Sequence, residues 1–267
     1  MTHFTTLGTG DVPILLHLPH NATYLPAEFE WNLDASTLNR EIYRLVDHHT
    51  EALFQPIMDA GAYALRNDLC RLFFDPERFA DPKKESMYDI GMGVFYTQTT
   101  EGVSFRPEDT IESYEQKIER YYNPYHNQFT NLVQGLLTRH GTVLIIDGHS
   151  YPKASLPYEQ HPDAPRPQID IGTWTGSENH TFKSLIRITE RTFKQAGYTV
   201  EFNTPFKGSI LPTPFIGDER VQTMMLEIRR DVYLDDKSQV TKQPVIHPQR
   251  LKMFHTVLRT WIQHHMG

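Results

Sequence analysis

The chain has 267 residues, of which 39% are hydrophobic and 22% are charged, as in ordinary globular proteins with a sizeable core. Its formal net charge of −7 argues against the basic surface that nucleic-acid binding requires. Apolar runs are shorter than the roughly 18 residues that span a membrane, the N-terminus is unlike a leader, and one cysteine excludes an internal disulfide. We expect a cytoplasmic protein without a nucleic-acid or membrane partner.

Short apolar runs alternate with longer amphipathic stretches along the chain. In chain order we predict a strand at 13–20, a helix at 36–60, a strand at 71–75, a helix at 110–140, a strand at 142–149, a helix at 178–196, strands at 198–203 and 223–228, and a helix at 247–266. This alternation is typical of an α/β fold with a largely parallel sheet, and near-continuous apolar strands indicate helices on both faces. Ligands of such sheets bind beyond the carboxyl ends of the strands.

Ionisable residues occupy three of the predicted strand ends. His20 and His149 follow two apolar runs, and Glu227 lies in a third. Two histidines and a carboxylate, with an open position for water, are the usual ligands of a catalytic zinc ion, and a further carboxylate could accept a proton from that water. A histidine at a strand end is more often a hydrogen-bonded structural residue, and the chain has no HExxH motif, so both interpretations stay open.

Other motifs narrow the class of protein. GxSxG, GxxxxGK[ST] and GxGxxG are absent, which argues against serine hydrolases, P-loop proteins and dinucleotide-binding proteins. Cys70 lies in an apolar run, which predicts a buried core thiol rather than a nucleophile. His17 forms an HxxH pair with His20, but three residues along a strand place the two side chains on opposite faces. We therefore do not expect one metal ion to bind both.

A series of short motifs follows one another over nearly the whole chain. They are LPHNATYLP (18–26), VDHHTEALF (46–54), CRLFFDPERF (70–79), GVFY (93–96), NPYH (123–126), LIIDGHSYP (144–152), IDIGT (169–173), FNTPFKGSIL (202–211) and LEIRRDVYLDD (226–236). In this order they resemble the N-formylglutamate amidohydrolases, a family similar in architecture to zinc carboxypeptidases. The resemblance implies a single domain over residues 1–267, with a three-layer α/β/α fold around a mostly parallel or mixed central sheet, like that of zinc exopeptidases.

The resemblance also implies one zinc ion per chain, with His20 and His149 as ligands and Glu227 as the general base. In carboxypeptidases the third ligand is a glutamate three residues after the first histidine, and here that position is Thr23. We predict Asp47 as the third ligand; its alternative role is that of a helix N-cap. The remaining candidates for this position are Glu28 and His49.

Arginines are expected to act on the substrate. By resemblance, one arginine stabilises the oxyanion and another binds the substrate carboxylate through two parallel hydrogen bonds. We predict Arg71 in the catalytic role and Arg78 and Arg230 as substrate-binding residues, and the division between the two roles stays open. Arg230 is alternatively a structural partner of Asp231 or Asp235.

Further residues around these motifs complete the predicted site. Asp147 lies two residues before His149 on the same side of the strand, which favours a role in orienting that imidazole. Ser150, Asn203 and Gly208 are candidates for substrate binding. Turn or capping roles are the alternatives for Ser150 and Gly208. His126 either lines the pocket or packs within a helix.

The resemblance predicts a zinc-dependent amidohydrolase that releases formate from an N-formyl or N-acyl amino acid such as N-formylglutamate. The chain departs from the family pattern at Asn21-Ala22, where the family usually has Ser-Gly, and at Asp75-Pro-Glu-Arg78, where DxNR is common. Two alternatives are a zinc hydrolase acting on another N-acyl amino acid or a small peptide, and a metal-bearing binding protein without turnover.

Overall fold

The computed structural model describes residues 3–27, 30–176, 180–235 and 244–266, and a mixed β-sheet forms its centre. The seven strands of this sheet are β1 Phe4–Gly8, β2 Ile14–Leu18, β3 Tyr63–Asn67, β4 Val143–Tyr151, β5 Ile169–Thr173, β6 Val200–Phe202 and β7 Val221–Arg229. Their order in the sheet is β1-β3-β2-β4-β7-β5-β6. A separate pair, β8 Leu234–Asp235 and β9 Val245–Ile246, is antiparallel.

The three central strands of the sheet, β2, β4 and β7, are parallel to one another. β1 and β5 run antiparallel to their neighbours β3 and β7, so the sheet is mixed. The register places His17 of β2 opposite Asp147 of β4, and His149 of β4 opposite Glu227 of β7. The carboxyl ends of these strands therefore deliver their polar side chains to one edge of the sheet.

Helices cover both faces of the sheet, as expected for a three-layer α/β/α fold. They are α1 Ala35–Leu45, α2 Thr50–Leu53, α3 Gln55–Asp59, α4 Ile111–Lys117, α5 Asn123–His140, α6 Lys183–Gln195 and α7 Pro248–Met266. α5 packs on β2, β3 and β4, whereas α2, α3, α6 and α7 pack together on the other face. No helix in the described part of the chain is long and apolar enough to cross a membrane.

The alternation of side chains along β4 divides the core in two. Val143 and Ile145 pack in the cluster beneath α5, and Leu144 and Ile146 pack in the cluster on the opposite face. Successive residues of a strand point to opposite faces, so Asp147 and, two positions later, His149 lie on the same face as Val143 and Ile145. The polar end of β4 is therefore positioned by the same alternation that buries its apolar part.

The stretch predicted as one helix at 36–60 is broken into three. α1 begins after Asp34, whose carboxylate accepts the backbone N–H groups of Ser36 and Thr37. The chain leaves the helix at Val46, and the Asp47 N–H bonds the carbonyl of His20 at 2.9 Å. This break holds Asp47 beside the end of β2.

The other predicted elements are mostly confirmed. Strands form within or around 13–20, 142–149, 198–203 and 223–228, and the later helices form close to their predicted bounds. The strand predicted at 71–75 is wrong: Phe73 and Phe74 are buried in a turn, in which both N–H groups bond the carbonyl of Cys70. A short apolar run has the same signature in a buried turn as in a strand. β1, β3 and β5 were not predicted.

Gly148, in the middle of β4, has no room for a side chain. A Cβ atom there would lie 2.9 Å from Phe54 Cε2 and 3.1 Å from Leu16 Cδ1. We expect Gly148→Ala to lower the free energy of unfolding by about 1–3 kcal/mol, the usual cost of overpacking a core. Gly135→Ala on α5 is the matched control, because nothing lies within 4 Å of its Cβ position. It should raise stability by about 0.5–1 kcal/mol. Urea unfolding measures both; an unchanged midpoint for Gly148→Ala would contradict the packing.

Candidate metal centre and substrate pocket

A cavity of about 520 Å³ opens at the carboxyl ends of β2, β4 and β7. This volume lies within the range of small-molecule sites. Most of the residues selected from the sequence line it, namely His20, Asp47, Arg71, Arg78, His149, Ser150, Glu227 and Arg230. The described residues that line the cavity do not include Asp147, His126, Asn203 or Gly208.

His20 and His149 each bond a buried carboxylate through Nε2. His20 Nε2 lies 2.8 Å from Asp75 Oδ1, and His149 Nε2 lies 3.0 Å from Asp147 Oδ1. A ring nitrogen that donates its hydrogen cannot also bind a metal ion, so these bonds leave Nδ1 of each ring as the ligand atom. Asp147 thus makes the contact that an orienting role requires, and that role itself stays a prediction.

Asp47 lies on the Nδ1 side of both rings. Its Oδ2 atom is 2.9 Å from His149 Nδ1 and 3.7 Å from His20 Nδ1. His20 Nδ1 is buried and forms no hydrogen bond with any described residue. The structure does not support the alternative N-cap role of Asp47, because the N-cap of α2 is His49. Asp47 Oδ2 therefore faces the Nδ1 atoms of both rings, which is the position that a third ligand would take.

A second carboxylate, Glu77, lies on the Nε2 side of the same rings. Its oxygens are 3.5 Å from His20 Nε2 and 3.3 Å from His149 Nε2, so these three residues are a second group that could hold an ion. Binding through Nε2 would break the hydrogen bonds to Asp75 and Asp147 and would leave His20 Nδ1 buried without a partner. An ion on the Asp47 side keeps the hydrogen bonds to Asp75 and Asp147 and replaces only the one between His149 Nδ1 and Asp47 Oδ2.

The two remaining candidates for the third ligand do not join the centre. Glu28 lies outside the described residues. His49 Nε2 is 2.9 Å from the carbonyl oxygen of Pro244, a contact that occupies this ring nitrogen.

The centre favours a positive charge. Burial alone would lower the pKa of His149, but Glu77, Asp147 and Asp47 around it raise that pKa well above its usual value. Burial would raise the pKa of Asp47, but hydrogen bonds from His149 and His20 hold it below its usual range. Either an imidazolium proton or a bound cation would balance these carboxylates.

Glu227 lies next to this centre, opposite His149 in the sheet register. It is 8% exposed, and its Oε2 atom is buried without a hydrogen-bond partner among the described residues. Burial raises the pKa of Glu227 well above its usual value, and the charges of Asp47 and Asp170 act in the same direction, although His149 opposes them. A buried carboxyl group with a raised pKa suits proton transfer.

Asp75 connects the centre to the arginines of the pocket. Besides His20, this buried carboxylate accepts hydrogen bonds from Arg71 and from the Tyr96 hydroxyl, both at 2.8 Å. Arg78 Nε lies 3.5 Å from Asp75 Oδ2, and the terminal nitrogens of Arg78 bond none of the described residues. Arg71 is thus anchored, whereas the planar end of Arg78 is available to a ligand.

The sequence matches the family model of N-formylglutamate amidohydrolases over residues 12–234. The chain belongs to this family. It is therefore a hydrolase that acts on an amide carbon–nitrogen bond, and the resemblance carried by the ordered motifs is confirmed. No curated protein matches the sequence.

Solved structures share the fold of this amidohydrolase-family chain. The crystal structure of N-formylglutamate amidohydrolase from Ralstonia eutropha JMP134 has a TM-score of 0.79 at 23% identity, covering 99% of this chain and 98% of that chain. A gene product from Agrobacterium tumefaciens has a TM-score of 0.68 at 14% identity, covering 100% and 97%. A metallo-carboxypeptidase from Burkholderia cenocepacia has a TM-score of 0.32 at 11% identity, covering 98% and 60%. The first two support the three-layer architecture.

In the enzyme, Arg230 contacts backbone carbonyls at the end of α1. Its terminal nitrogens donate at 2.7–3.1 Å to the carbonyl oxygens of Tyr43, Arg44 and Val46. These residues directly precede Asp47, so Arg230 fixes the segment that carries this carboxylate. Its expected alternative partner Asp231 instead bonds Arg229 at 2.7 Å. The geometry favours a structural role for Arg230 over the predicted substrate contact.

Three further residues selected from the sequence support the pocket from outside. Asn203 Oδ1 accepts the backbone N–H groups of Thr173 and Gly208, at 3.0 and 3.2 Å, and so closes the loop at 203–208. His126 Nε2 donates to the carbonyl oxygen of Pro76 at 2.8 Å, next to Glu77. Burial lowers the pKa of His126 to about 4. These contacts favour supporting roles over contact with a substrate.

Several residues in or around the pocket were not selected as site residues from the sequence. They are His17, Asp75, Glu77, Asp170 and Lys207. Each of them lies within a motif that was singled out for other residues: HxxH, DPER, IDIGT or FNTPFKGSIL. The motifs therefore located these segments, whereas the partners that give each side chain its role come from distant parts of the chain.

Asp170 fastens the loop at 203–208 beside the pocket. It lies opposite Glu227 in the β5–β7 register, and its two oxygens accept the backbone N–H groups of Thr204 and Phe206, both at 2.9 Å. Phe206 in turn lines the cavity. Burial raises the pKa of Asp170 to about 6, although the two backbone hydrogen bonds oppose this shift.

The raised pKa of Asp170 predicts a pH-dependent stability. A carboxyl pKa above the unfolded value of about 3.9 contributes stability that is present at lower pH and is lost as pH rises through about 6. The shift of about two units corresponds to about 3 kcal/mol. We expect the unfolding free energy of the parent, relative to Asp170→Asn, to fall by this order between pH 4 and 7.5. Chemical unfolding with chelator present measures it, with Asp163→Asn as the exposed control. A difference independent of pH would contradict the shift.

Proposed function

We propose that this amidohydrolase is zinc-dependent and cleaves the N-formyl amide of N-formylglutamate, releasing formate and glutamate. One observation carries the proposal: Asp47 Oδ2 lies 2.9 Å from His149 Nδ1 and 3.7 Å from His20 Nδ1, beside the buried carboxyl group of Glu227. A metal-bound water and a neighbouring proton acceptor are one arrangement that hydrolyses amides at neutral pH.

The donor set fits a catalytic zinc ion. Two imidazoles and one carboxylate are a common set of protein ligands around such an ion. His20 Nδ1, which is buried without a hydrogen-bond partner among the described residues, would gain one. When bound, zinc acts as a Lewis acid that lowers the pKa of water and polarises an amide carbonyl. His20, Asp47 and His149 would hold it.

Glu227 is the proposed general base. It accepts a proton from the attacking water, whose oxygen adds to the formyl carbon, and then passes that proton to the amide nitrogen as the carbon–nitrogen bond breaks. The products are formate and the free amine of the amino acid. Burial keeps the pKa of Glu227 above that of an exposed carboxyl group, which strengthens it as a proton acceptor.

We assign the positively charged side chains of the pocket to contacts with the substrate. Arg71, anchored by Asp75, is proposed to donate to the oxyanion that develops on the formyl oxygen. The terminal nitrogens of Arg78 bond none of the described residues, and Arg78 is proposed to bind the α-carboxylate in the two-pronged manner that suits a guanidinium group. Lys207 also lines the cavity and pairs with no described acidic residue. A second cation suits a substrate with two carboxylates, which favours N-formylglutamate over monocarboxylic analogues.

We also propose that residues 1–267 form one domain, since a single sheet joins strands from both halves of the chain. We propose that it acts in the cytoplasm, because a single cysteine fits a reducing compartment. Cys70 is a free, buried thiol, and burial raises its pKa to about 12, so it stays unreactive.

Another N-acyl amino acid remains the alternative substrate. Ser150, which lines the cavity, is retained as a proposed substrate contact.

The ligand assignment predicts different effects for the two carboxylates that flank the histidines. We expect about one zinc ion per chain in the parent and loss of the ion in His20→Ala and His149→Ala. Asp47→Asn should weaken zinc binding by more than roughly 100-fold, whereas Glu77→Gln should stay within the roughly 10–100-fold range of an outer contact. Competition with a chromophoric chelator measures both. A larger loss in Glu77→Gln than in Asp47→Asn would place the ion on the Nε2 side instead.

Formate release tests the reaction and the role of Glu227 together. We expect the parent to release formate from N-formylglutamate, and we expect Glu227→Gln to keep its zinc while kcat falls by roughly 10²–10⁴-fold. Glu190→Gln, at an exposed pair with Lys194 on α6, is the control and should retain full activity. Turnover of a different N-acyl amino acid without turnover of N-formylglutamate would refute the named substrate. An unchanged kcat in Glu227→Gln would remove Glu227 from its role.

A further inference from the structure

Behind the metal centre, His17 forms a buried chain of hydrogen bonds. Its Nδ1 atom lies 2.8 Å from Asp147 Oδ1, and its Nε2 atom lies 2.8 Å from the Tyr125 hydroxyl. The same Asp147 oxygen is 3.0 Å from His149 Nε2. His17 is fully buried, so water does not compete for these bonds. A continuous path therefore runs from α5, through β2, to a proposed ligand on β4.

The donors and acceptors of this chain fit in one direction. The Tyr125 hydroxyl donates to His17 Nε2, which leaves the ring hydrogen on Nδ1 to be donated to Asp147. Asp147 Oδ1 then accepts two N–H groups, one from His17 and one from His149 Nε2. With its Nε2 hydrogen committed, His149 presents Nδ1 to the side where Asp47 lies.

The packing around His17 holds its ring in one orientation. The ring stacks on Phe129 with centroids 4.7 Å apart and an interplanar angle of 7°. The Tyr125 ring meets it edge-on at 5.8 Å. The parallel register fixes its strand position opposite Asp147. Because Phe129, Tyr125 and the strand register hold the His17 ring, its N–H group holds the Asp147 carboxylate in place.

His17, Glu77 and Asp147 also form a group that could in principle hold an ion. Both ring nitrogens of His17 are already used, one by Asp147 and one by Tyr125. Glu77 Oε1 is 3.8 Å from His17 Nδ1, beyond hydrogen-bond range. The contacts therefore favour a hydrogen-bonded support over a second cation site, and the metal stoichiometry separates the two.

We propose that His17 is a positioning residue for the metal centre: through Asp147 it fixes the orientation of His149 and keeps Nδ1 as the ligand atom. It acts without contacting the substrate or the ion. This inference rests on the proposed function, since it takes His149 as a ligand.

Two substitutions of His17 separate positioning from packing. The side-chain amide nitrogen of asparagine lies near the position of histidine Nδ1, and that of glutamine lies near Nε2. His17→Asn therefore keeps a donor to Asp147, and His17→Gln loses it although glutamine fills the volume better. We expect zinc Kd to rise roughly 10–100-fold in His17→Gln and to stay within about threefold in His17→Asn.

Tyr125→Phe provides a third variant that keeps the ring packing and removes only the hydroxyl donor. We expect a several-fold rise in zinc Kd, smaller than in His17→Gln, because the ring stays in place while its tautomer is no longer fixed. Tyr114→Phe, whose hydroxyl bonds the carbonyl of Ala80, is the matched control and should leave Kd unchanged. Metal-free protein is titrated with zinc against a chromophoric chelator, circular dichroism checks folding, and the visible spectrum of cobalt-loaded protein reports the ligand geometry.

The outcomes distinguish this inference from the proposed function. The inference alone would be overturned if the parent protein binds zinc and releases formate while the His17→Gln variant has the same zinc Kd and the same cobalt spectrum as the parent. A His17→Asn variant as impaired as His17→Gln, or two zinc ions per parent chain with one lost in His17→Gln, would also overturn it. Parent protein without zinc would overturn both.

Discussion

Two hydrogen bonds, each between a buried carboxylate and an imidazole, decide which ring nitrogens the proposed ligands present to a metal ion. His20 is tied to Asp75 and His149 to Asp147, each through Nε2. Both Nδ1 atoms then turn toward Asp47, so the proposed third ligand is selected by the orientation of the other two. If the rings were turned so that Nδ1 bonded these two carboxylates, Nε2 rather than Nδ1 would face Asp47.

These carboxylates also set the charge of the pocket. Asp47, Asp75, Asp147 and Glu227 are buried, and burial of ionised groups is costly unless a positive charge balances them. Asp75 is balanced by His20 and by arginines, which hold its pKa well below its usual range despite burial. Asp47 and Asp147 are balanced by imidazoles alone, and His149 contacts both of them; its pKa is raised well above its usual value even though burial opposes this. A divalent cation at this point would relieve that imbalance.

The sequence predicted the parts of the site that depend on periodicity along the chain. His20, His149 and Glu227 were identifiable because apolar strands end there and parallel strands end at one edge. Asp147 was identifiable too, because it lies two residues before His149. Asp75 and His17 were not, because Asp75 is 55 residues from His20 and His17 is 130 residues from Asp147. The partners of Arg230 were not predictable for a similar reason: the charges of Asp231 and Asp235 suggested an acidic partner, whereas backbone carbonyls at the end of a distant helix accept its hydrogens. Hydrophobic periodicity carries no information about such contacts.

The pairing of β4 with β7 explains how few elements are needed to assemble the site. β4 carries His149, and the register sets Glu227 beside it on β7. Immediately after β7, Arg230 reaches the end of α1 and fixes the segment that holds Asp47. On the other side of β7, the antiparallel strand β5 places Asp170 opposite Glu227, where it fastens the loop that lines the cavity. One strand therefore positions the proposed base, the third ligand and a wall of the pocket, so that the geometry of the site depends on the register of the central sheet rather than on the conformation of separate loops.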